Sequence, residues 1–285
     1  MLPDWRRVKD RLFTAATVAL ALLAVAPLFH ILATVVVRGG SVILRGGVSF
    51  FTDPPAYPGS GELGGVGPAL LGTLWLGLVT SLIGVPLALL TAIYIVEYRE
   101  GRLARVARVF TSSLLEVPTV LIGMLVFLVV VVPMGRYSLA AGSIALAIVM
   151  LPYTVSYVER ALEGVPRTYR EAGYSIGMTR AQVVFQVVMG IASRGVAAGI
   201  LIGVAKVLSE TAPLLFTIGS ARGSYPTGPQ SLLEPGDALP LLIFQFAQTP
   251  YSNWQDLAWG AALLLTLIIL AIFTLLRLLF REVKL

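Results

Sequence analysis

Residues 70–96 read LLGTLWLGLVTSLIGVPLALLTAIYIV, with no Asp, Glu, Lys or Arg among them. Such a run, wound as a helix, is long enough to cross the ~30 Å hydrocarbon core of a bilayer. Lipid offers no partner to backbone N–H and C=O groups, so a spanning segment of this kind must be helical. Five more stretches approach it in length and apolarity: Leu12–Val37, Ser113–Pro133, Ser138–Val158, Ile191–Gly219 and Leu257–Phe280. The expected fold class is an all-α membrane protein with six transmembrane helices. It reads as a single transmembrane domain over 1–285.

Composition agrees. The chain is 57% hydrophobic and 13% charged, with a mean hydropathy of +0.87. Soluble domains carry about twice that share of charge. The net charge of +6 does not point to nucleic acid, because the basic residues fall in short clusters between apolar runs. There is no Cys, so disulfides, thiolate catalysis and Cys-ligated metal are excluded. His30 is the only His. It reads as a polar residue facing a neighbouring helix, and no metal site is expected. Arg6, Arg7, Lys9 and Arg11 ahead of the first run, with Ala24-Val25-Ala26 inside it, imitate a signal peptide. The run continues to Val37, too long for such a segment, so a retained anchor is expected.

Basic residues set the orientation. Arg6, Arg7, Lys9 and Arg11 precede the first span. Arg99, Arg102, Arg105 and Arg108 follow the second, Arg160, Arg167, Arg170 and Arg180 follow the fourth, and Arg277, Arg281 and Lys284 close the chain. The opposite side has Arg38, Arg45, Arg136 and Arg222. This alternation predicts a multi-pass protein of the cell (inner or plasma) membrane with both termini cytoplasmic.

Three connecting segments stand out. Gly39–Pro68, rich in Gly and Pro, is expected to be irregular. Ser220–Asp256 contains Leu239–Ala247, an apolar stretch too short to span. Arg99–Phe110 collects Leu103, Val106, Ala107 and Phe110 on one helical face, which suits a helix lying on an anionic membrane surface, with a plain basic loop as the alternative.

The most informative loop is Val165–Met189, within 159–190. Pro166 suits a helix's first turn. Gly177 sits where a helix ends in the left-handed conformation. Thr179 and Gln182 have capping-box spacing. The loop therefore reads helix, Gly turn, helix, which is more than a connector needs. A docking surface is the function this structure suggests.

Glu171-Ala172-Gly173-Tyr174-Ser175-Ile176-Gly177 resembles the E-A-A-x-x-x-G loop of ABC importer permeases. Gly173 replaces the second Ala, and Val187-Val188-Met189-Gly190 replaces a later I-x-L-P. Five further stretches are similar to the A-type permease subunits of bacterial and archaeal phosphate importers (PstA-type). They are 64–73 (GGVGPALLGT), 92–98 (AIYIVEY), Leu151-Pro152, Glu163-Gly164-Val165-Pro166 and Glu210-Thr211-Ala212-Pro213-Leu214-Leu215-Phe216-Thr217. The likeness is strong over 64–219, weaker to 280 and faint before Ser60.

That resemblance implies a MetI-like six-helix permease core over about 64–280. It implies a heterodimer with a C-type permease subunit, an ATP-binding subunit dimer below and an extracellular phosphate-binding protein above. Cofactors would be absent from this chain, with ATP and Mg on the partner ATPase. The function implied is phosphate import by a transporter subunit that is not an enzyme, with sulfate or molybdate as rival anions. Arg167, Arg170, Glu171, Ala172, Gly173, Ser175 and Gly177 would form the ATPase-coupling loop. In that family an Arg usually stands at the position of Lys206, four residues before the acid, and another often stands at Ser156.

The residues themselves add a candidate path. Gly195, Gly199 and Gly203 repeat every four residues, which fits close helix packing either within the subunit or at a subunit interface. Lys206 and Glu210 continue that face at i, i+4. They read as a translocation path together with Thr211, or as a buried ion pair that fixes register. No G-x-x-x-x-G-K-[ST] loop is present, so ATP is not bound by that motif. A Lys206–Ser209 hydrolase pair remains a formal rival from another functional class.

Overall fold

The computed structural model describes residues 4–221 and 223–279. Arg222, Arg281, Lys284 and the Phe280 end of the last apolar run lie outside the described residues. The main elements are helices α1 (Asp4–Thr52), α2 (Gly67–Glu97) and α3 (Arg102–Glu116), then α4 (Thr119–Met134). They continue with α5 (Leu139–Glu163), α6 (Arg167–Ser175) and α7 (Arg180–Leu208). The last are α8 (Ala212–Thr217), α9 (Leu239–Ala247) and α10 (Ser252–Leu279). The described residues contain no strand beyond an isolated bridge between Pro55 and Gly64.

Five helices are long and apolar enough to cross a membrane, and α3 with α4 makes a sixth candidate bent by 105°. The bend corrects the third expected span. Pro118 disfavours helical backbone at Val117, which sits at φ −75° and ψ 124°. Ser113–Glu116 therefore finish the amphipathic helix, and the span starts at Thr119. A π-turn at Phe127–Val131 lies just ahead of Pro133, where a proline ring displaces a carbonyl one turn back. The helix reading of Arg99–Phe110 holds from Arg102 onward. Leu103, Val106 and Phe110 are exposed along it, while Ala104 and Thr111 are buried.

The region expected to be irregular over Gly39–Pro68 is instead helical to Thr52. Its glycines serve contact: a Cβ on Gly39 would come within 2.6 Å of the Trp259 carbonyl oxygen. Val42 and Phe50 bury against Leu257, Ala258 and Ala261 of α10. Only Gly47, at φ 55°, breaks the helical path. The half of α1 before Val36 lies almost wholly exposed. His30 is there too, facing away from the rest of the chain with Thr34 as its hydrogen-bond neighbour, so the helix partner expected for it is absent among the described residues. Leu239–Ala247 forms α9 as a short helix, with Leu239, Leu241 and Leu242 buried between α2 and α10.

At the centre α2, α5 and α7 pack together. Ala88, Ala92 and Ile95 of α2 meet Val155, Val158 and Leu162 of α5 and Val188, Ala192 and Val196 of α7. The glycine stripe of α7 lies on α5. A Cβ would come within 2.7 Å of Ala161 at Gly195, 3.0 Å of Tyr157 at Gly199 and 2.0 Å of Thr154 Oγ1 at Gly203. The stripe thus packs on α5 within the subunit. Close backbone approach is what small residues provide when lipid and side chains are equally apolar.

Gly203→Leu is expected to cost about 1–3 kcal/mol by overpacking. Gly190→Ala on the same helix, with nothing within 4 Å of its Cβ, should leave stability unchanged or slightly raised. Thermal retention of a monodisperse, detergent-solubilised protein distinguishes the two.

Candidate functional site: a docking loop and a broken span

The loop between α5 and α7 has the helix, turn, helix form read from its residues. Pro166 stands one position before α6, at φ −55° and ψ 141°, rather than inside its first turn. Gly177 is left-handed at φ 83°. Its N–H donates to Tyr174 O at 3.0 Å and the Met178 N–H donates to Gly173 O at 3.1 Å. These are the two bonds of a Schellman ending, which only a residue tolerant of positive φ closes without strain. The capping box then starts α7: the Thr179 N–H donates to Gln182 Oε1 at 2.8 Å, and the Gln182 N–H to Thr179 Oγ1 at 3.4 Å.

The loop has two unlike faces. Arg167, Glu171, Ala172 and Ser175 are exposed, and Tyr169, Tyr174 and Ile176 stand beside them as exposed apolar groups. Gly173 is buried, and a Cβ there would sit 2.9 Å from Val183 Cγ2. That explains the departure from a second Ala. Arg170 turns inward. Its Nη1 donates to Val165 O at 2.9 Å and Nη2 to Leu162 O at 3.1 Å, while Nε reaches Glu97 Oε1 at 3.3 Å. Glu97 also stands 3.9 Å from Arg180 Nε. Glu97 lies within the 92–98 stretch, whose residues alone assign it no role. The available signal was a lone acid closing a charge-free 27-residue run.

The expected fifth span is not one helix. α7 ends at Leu208, Ser209 to Thr211 leave the helical path, and α8 runs only from Ala212 to Thr217. The break lies level with the middle of α5: Lys206 Nζ is 5.4 Å from the ring of Tyr153. Lys206 and Glu210 form an ion pair across the end of α7, so Glu210 is beyond the helix rather than on its face. Glu210 is buried, while the Lys206 side chain remains 35% exposed on the outer surface of this single chain. Thr211 is half-buried beside them. The Ser209 hydroxyl donates to Lys206 O at 2.8 Å, and the Lys206 ammonium is held by Glu210, so no serine–lysine nucleophile is assembled. Pro213 seats the break against α4, where a Cβ on Gly123 would lie 2.7 Å from Pro213 Cα. Among the described residues no group of three or more His, Cys, Asp or Glu could hold a metal ion.

Residues 84–284 match the family described as the binding-protein-dependent transport system inner membrane component. The chain belongs to this family. It is 45% identical over 268 residues to a probable phosphate transport system permease protein PstA of Methanocaldococcus jannaschii, covering 94% of this chain and 92% of that one. It is 35% identical over 281 residues to the phosphate transport system permease protein PstA of Yersinia pestis, covering 98% and 92%. Among solved structures the family fold recurs in a bacterial alginate ABC transporter (TM-score 0.68, 14% identity, 97% and 96% covered). It recurs again in the MetNI methionine ABC transporter (TM-score 0.59, 19% identity, 75% and 95% covered). The all-helical MetI-like permease architecture of this family member is therefore the one expected from its hydrophobic pattern.

Gly177→Leu places a Cβ in the left-handed region and should strain the turn by roughly 1 kcal/mol or more. Gly177→Asn should be nearly neutral, since Asn tolerates that region. Tryptic cleavage rates at Arg167, Arg170 and Arg180 are expected to rise in the first variant and not in the second.

Proposed function

We propose that the chain is a permease subunit of an ATP-driven importer that carries inorganic phosphate into the cell. The observation that carries this reading is the likeness to phosphate permease subunits along nearly the whole chain. The docking loop supports it, since a structured, exposed loop of this kind is what a partner ATPase would grip. In this reading the subunit pairs with a C-type permease subunit, an extracellular phosphate-binding protein delivers the anion, and ATP with Mg is bound and hydrolysed on a separate subunit dimer. Both termini and the Arg167–Arg180 loop face the cytoplasm, as the positive-inside pattern indicates. Glu171, Ala172, Ser175 and Ile176 form the contact face, and Arg170 holds the loop from behind.

Lys206 lines the path. Non-helical backbone at membrane depth is tolerated where it is buried in protein or lines a cavity, and broken helices near the midplane are where transporters place substrate sites. Lys206 then faces the seam with the partner permease, a reading that its one-third exposure on the lone subunit supports. Glu210 balances the ammonium, so the anion meets a cation already shared and is released easily. Lys offers a point charge rather than the planar fork of Arg, and Ser156, where the resembling family often has an Arg, would add to a lower positive charge in this subunit.

Two experiments test the reading. A Cys at Ser175, in a chain with no native Cys, should react with an impermeant maleimide only after the membrane is opened; labelling from outside intact cells reverses the topology. Lys206→Met with Glu210→Gln strands no charge, so the complex should still copurify with its ATPase. Phosphate uptake in reconstituted vesicles should fall by about two orders of magnitude, in line with loss of a few kcal/mol of path stabilisation. Near-normal uptake removes the pair from the path.

A further inference from the structure

We infer that Glu97 is a positioning residue that clamps the docking loop to the spans, so that movement of the loop is passed to α2 and α5 together. The inference rests on the docking reading of that loop. Glu97 is the last residue of α2, and its side chain is only 8% exposed. One carboxylate oxygen accepts from Arg170 Nε at 3.3 Å and the other lies 3.9 Å from Arg180 Nε. Those two arginines stand on opposite legs of the Gly177 turn, one on α6 and one at the first residue of α7. The Arg180 guanidinium also lies over the ring of Tyr98, 3.9 Å from its centroid.

The same Arg170 guanidinium donates to the carbonyls of Leu162 and Val165. These lie in the last turn of α5 and just after it, where carbonyls lose their helical partners. One guanidinium and one carboxylate thus join the ends of α2 and α5 to both legs of the turn. Among the described residues, Arg170–Glu97 is the ion pair that ties α6 to a span. Beyond the bonds of Arg170, Gly173 adds close packing against Val183 and Met178. Burial decides the relative weight of the two arms. Arg170 is 16% exposed and Arg180 45%, and an exposed pair at that distance is worth little. Arg170 is the stiff arm and Arg180 the compliant one.

Removing the carboxylate leaves a buried guanidinium without its counter-charge, so the loop should loosen while the contact face stays intact. The test uses a spin label at Ile176→Cys, a side chain 79% exposed, in the full-length subunit in nanodiscs. It is paired with the ratio of anion moved to ATP hydrolysed by the reconstituted complex. Glu97→Gln is expected to mobilise the label and to lower that ratio by roughly fivefold or more while copurification with the ATPase persists. Glu97→Asp should recover most of the ratio. Arg180→Gln, which removes only the compliant arm and cannot threaten folding from its exposed position, should mobilise the label less. Unchanged label mobility in both Glu97→Gln and Arg180→Gln overturns the clamp. So does a loss of ratio in Glu97→Gln that Glu97→Asp shares in full. If Glu97→Gln does not assemble, Arg170→Lys, which keeps the charge and gives up the bonds to Leu162 and Val165, is read through the label in its place, and unchanged mobility there overturns the clamp. The ratio is taken for whichever anion the unaltered complex moves, so a failure of phosphate as substrate is seen in that complex and leaves the label result standing.

Discussion

Hydrocarbon gives a backbone amide nothing to bond to, and that single lack organises this chain. Every long apolar run answers it with a helix. Besides the bend at Val117–Pro118, the answer fails at Ser209–Thr211, where α7 stops level with the middle of α5. The freed groups there are taken up locally: the Glu210 N–H donates to Val207 O at 3.1 Å and the Leu214 N–H to Thr211 O at 3.1 Å. The Pro213 seat on α4 covers the break, and Lys206 answers the buried Glu210. A charge pair and an interrupted helix, each costly alone, stabilise each other at this point. Lys206 in the last turn of α7 also lies where a cation favours the negative end of the helix dipole.

Much of this was legible in the residues. Spans two and four and the Gly177 turn follow from apolar run length, left-handed glycine and a capping pair, all local signals. What escaped was set by tertiary contact. The helix through Gly39–Thr52 looked like a loop because its glycines and Ser41 have weak helical preference; Val42 and Phe50 buried on α10 override it. The third span was misplaced because Ser113–Glu116 are apolar enough to join it, and only the Val117–Pro118 geometry separates them. The break after Leu208 was invisible because Ser209-Glu210-Thr211 contains no Pro or Gly. Its signal is Pro213, two residues on, which also belongs to the family-like stretch 210–217.

The arginines of the loop-bearing end also divide in a way composition does not reveal. Arg108 bridges Glu159 at 2.7 Å and Glu163 at 3.2 Å, and Arg99 meets Glu163 at 3.0 Å. Arg170 and Arg180 are engaged by Glu97. The cations counted for orientation thus include several whose first task is to tie helix ends together, whereas Arg102 and Arg105 are exposed along α3.

The docking of α1 has a consequence for how the chain is made. Its buried residues meet α10, and Arg45 reaches Asp256 at 2.7 Å across 211 positions. During synthesis α1 must wait in lipid until α10, more than 200 positions later, has been inserted. Its long exposed half fits that wait: a segment already at home among acyl chains has nothing to aggregate with while its partner is still being translated. A chain cut short before Leu257 would keep the α2–α5–α7 centre and leave α1 drifting beside it.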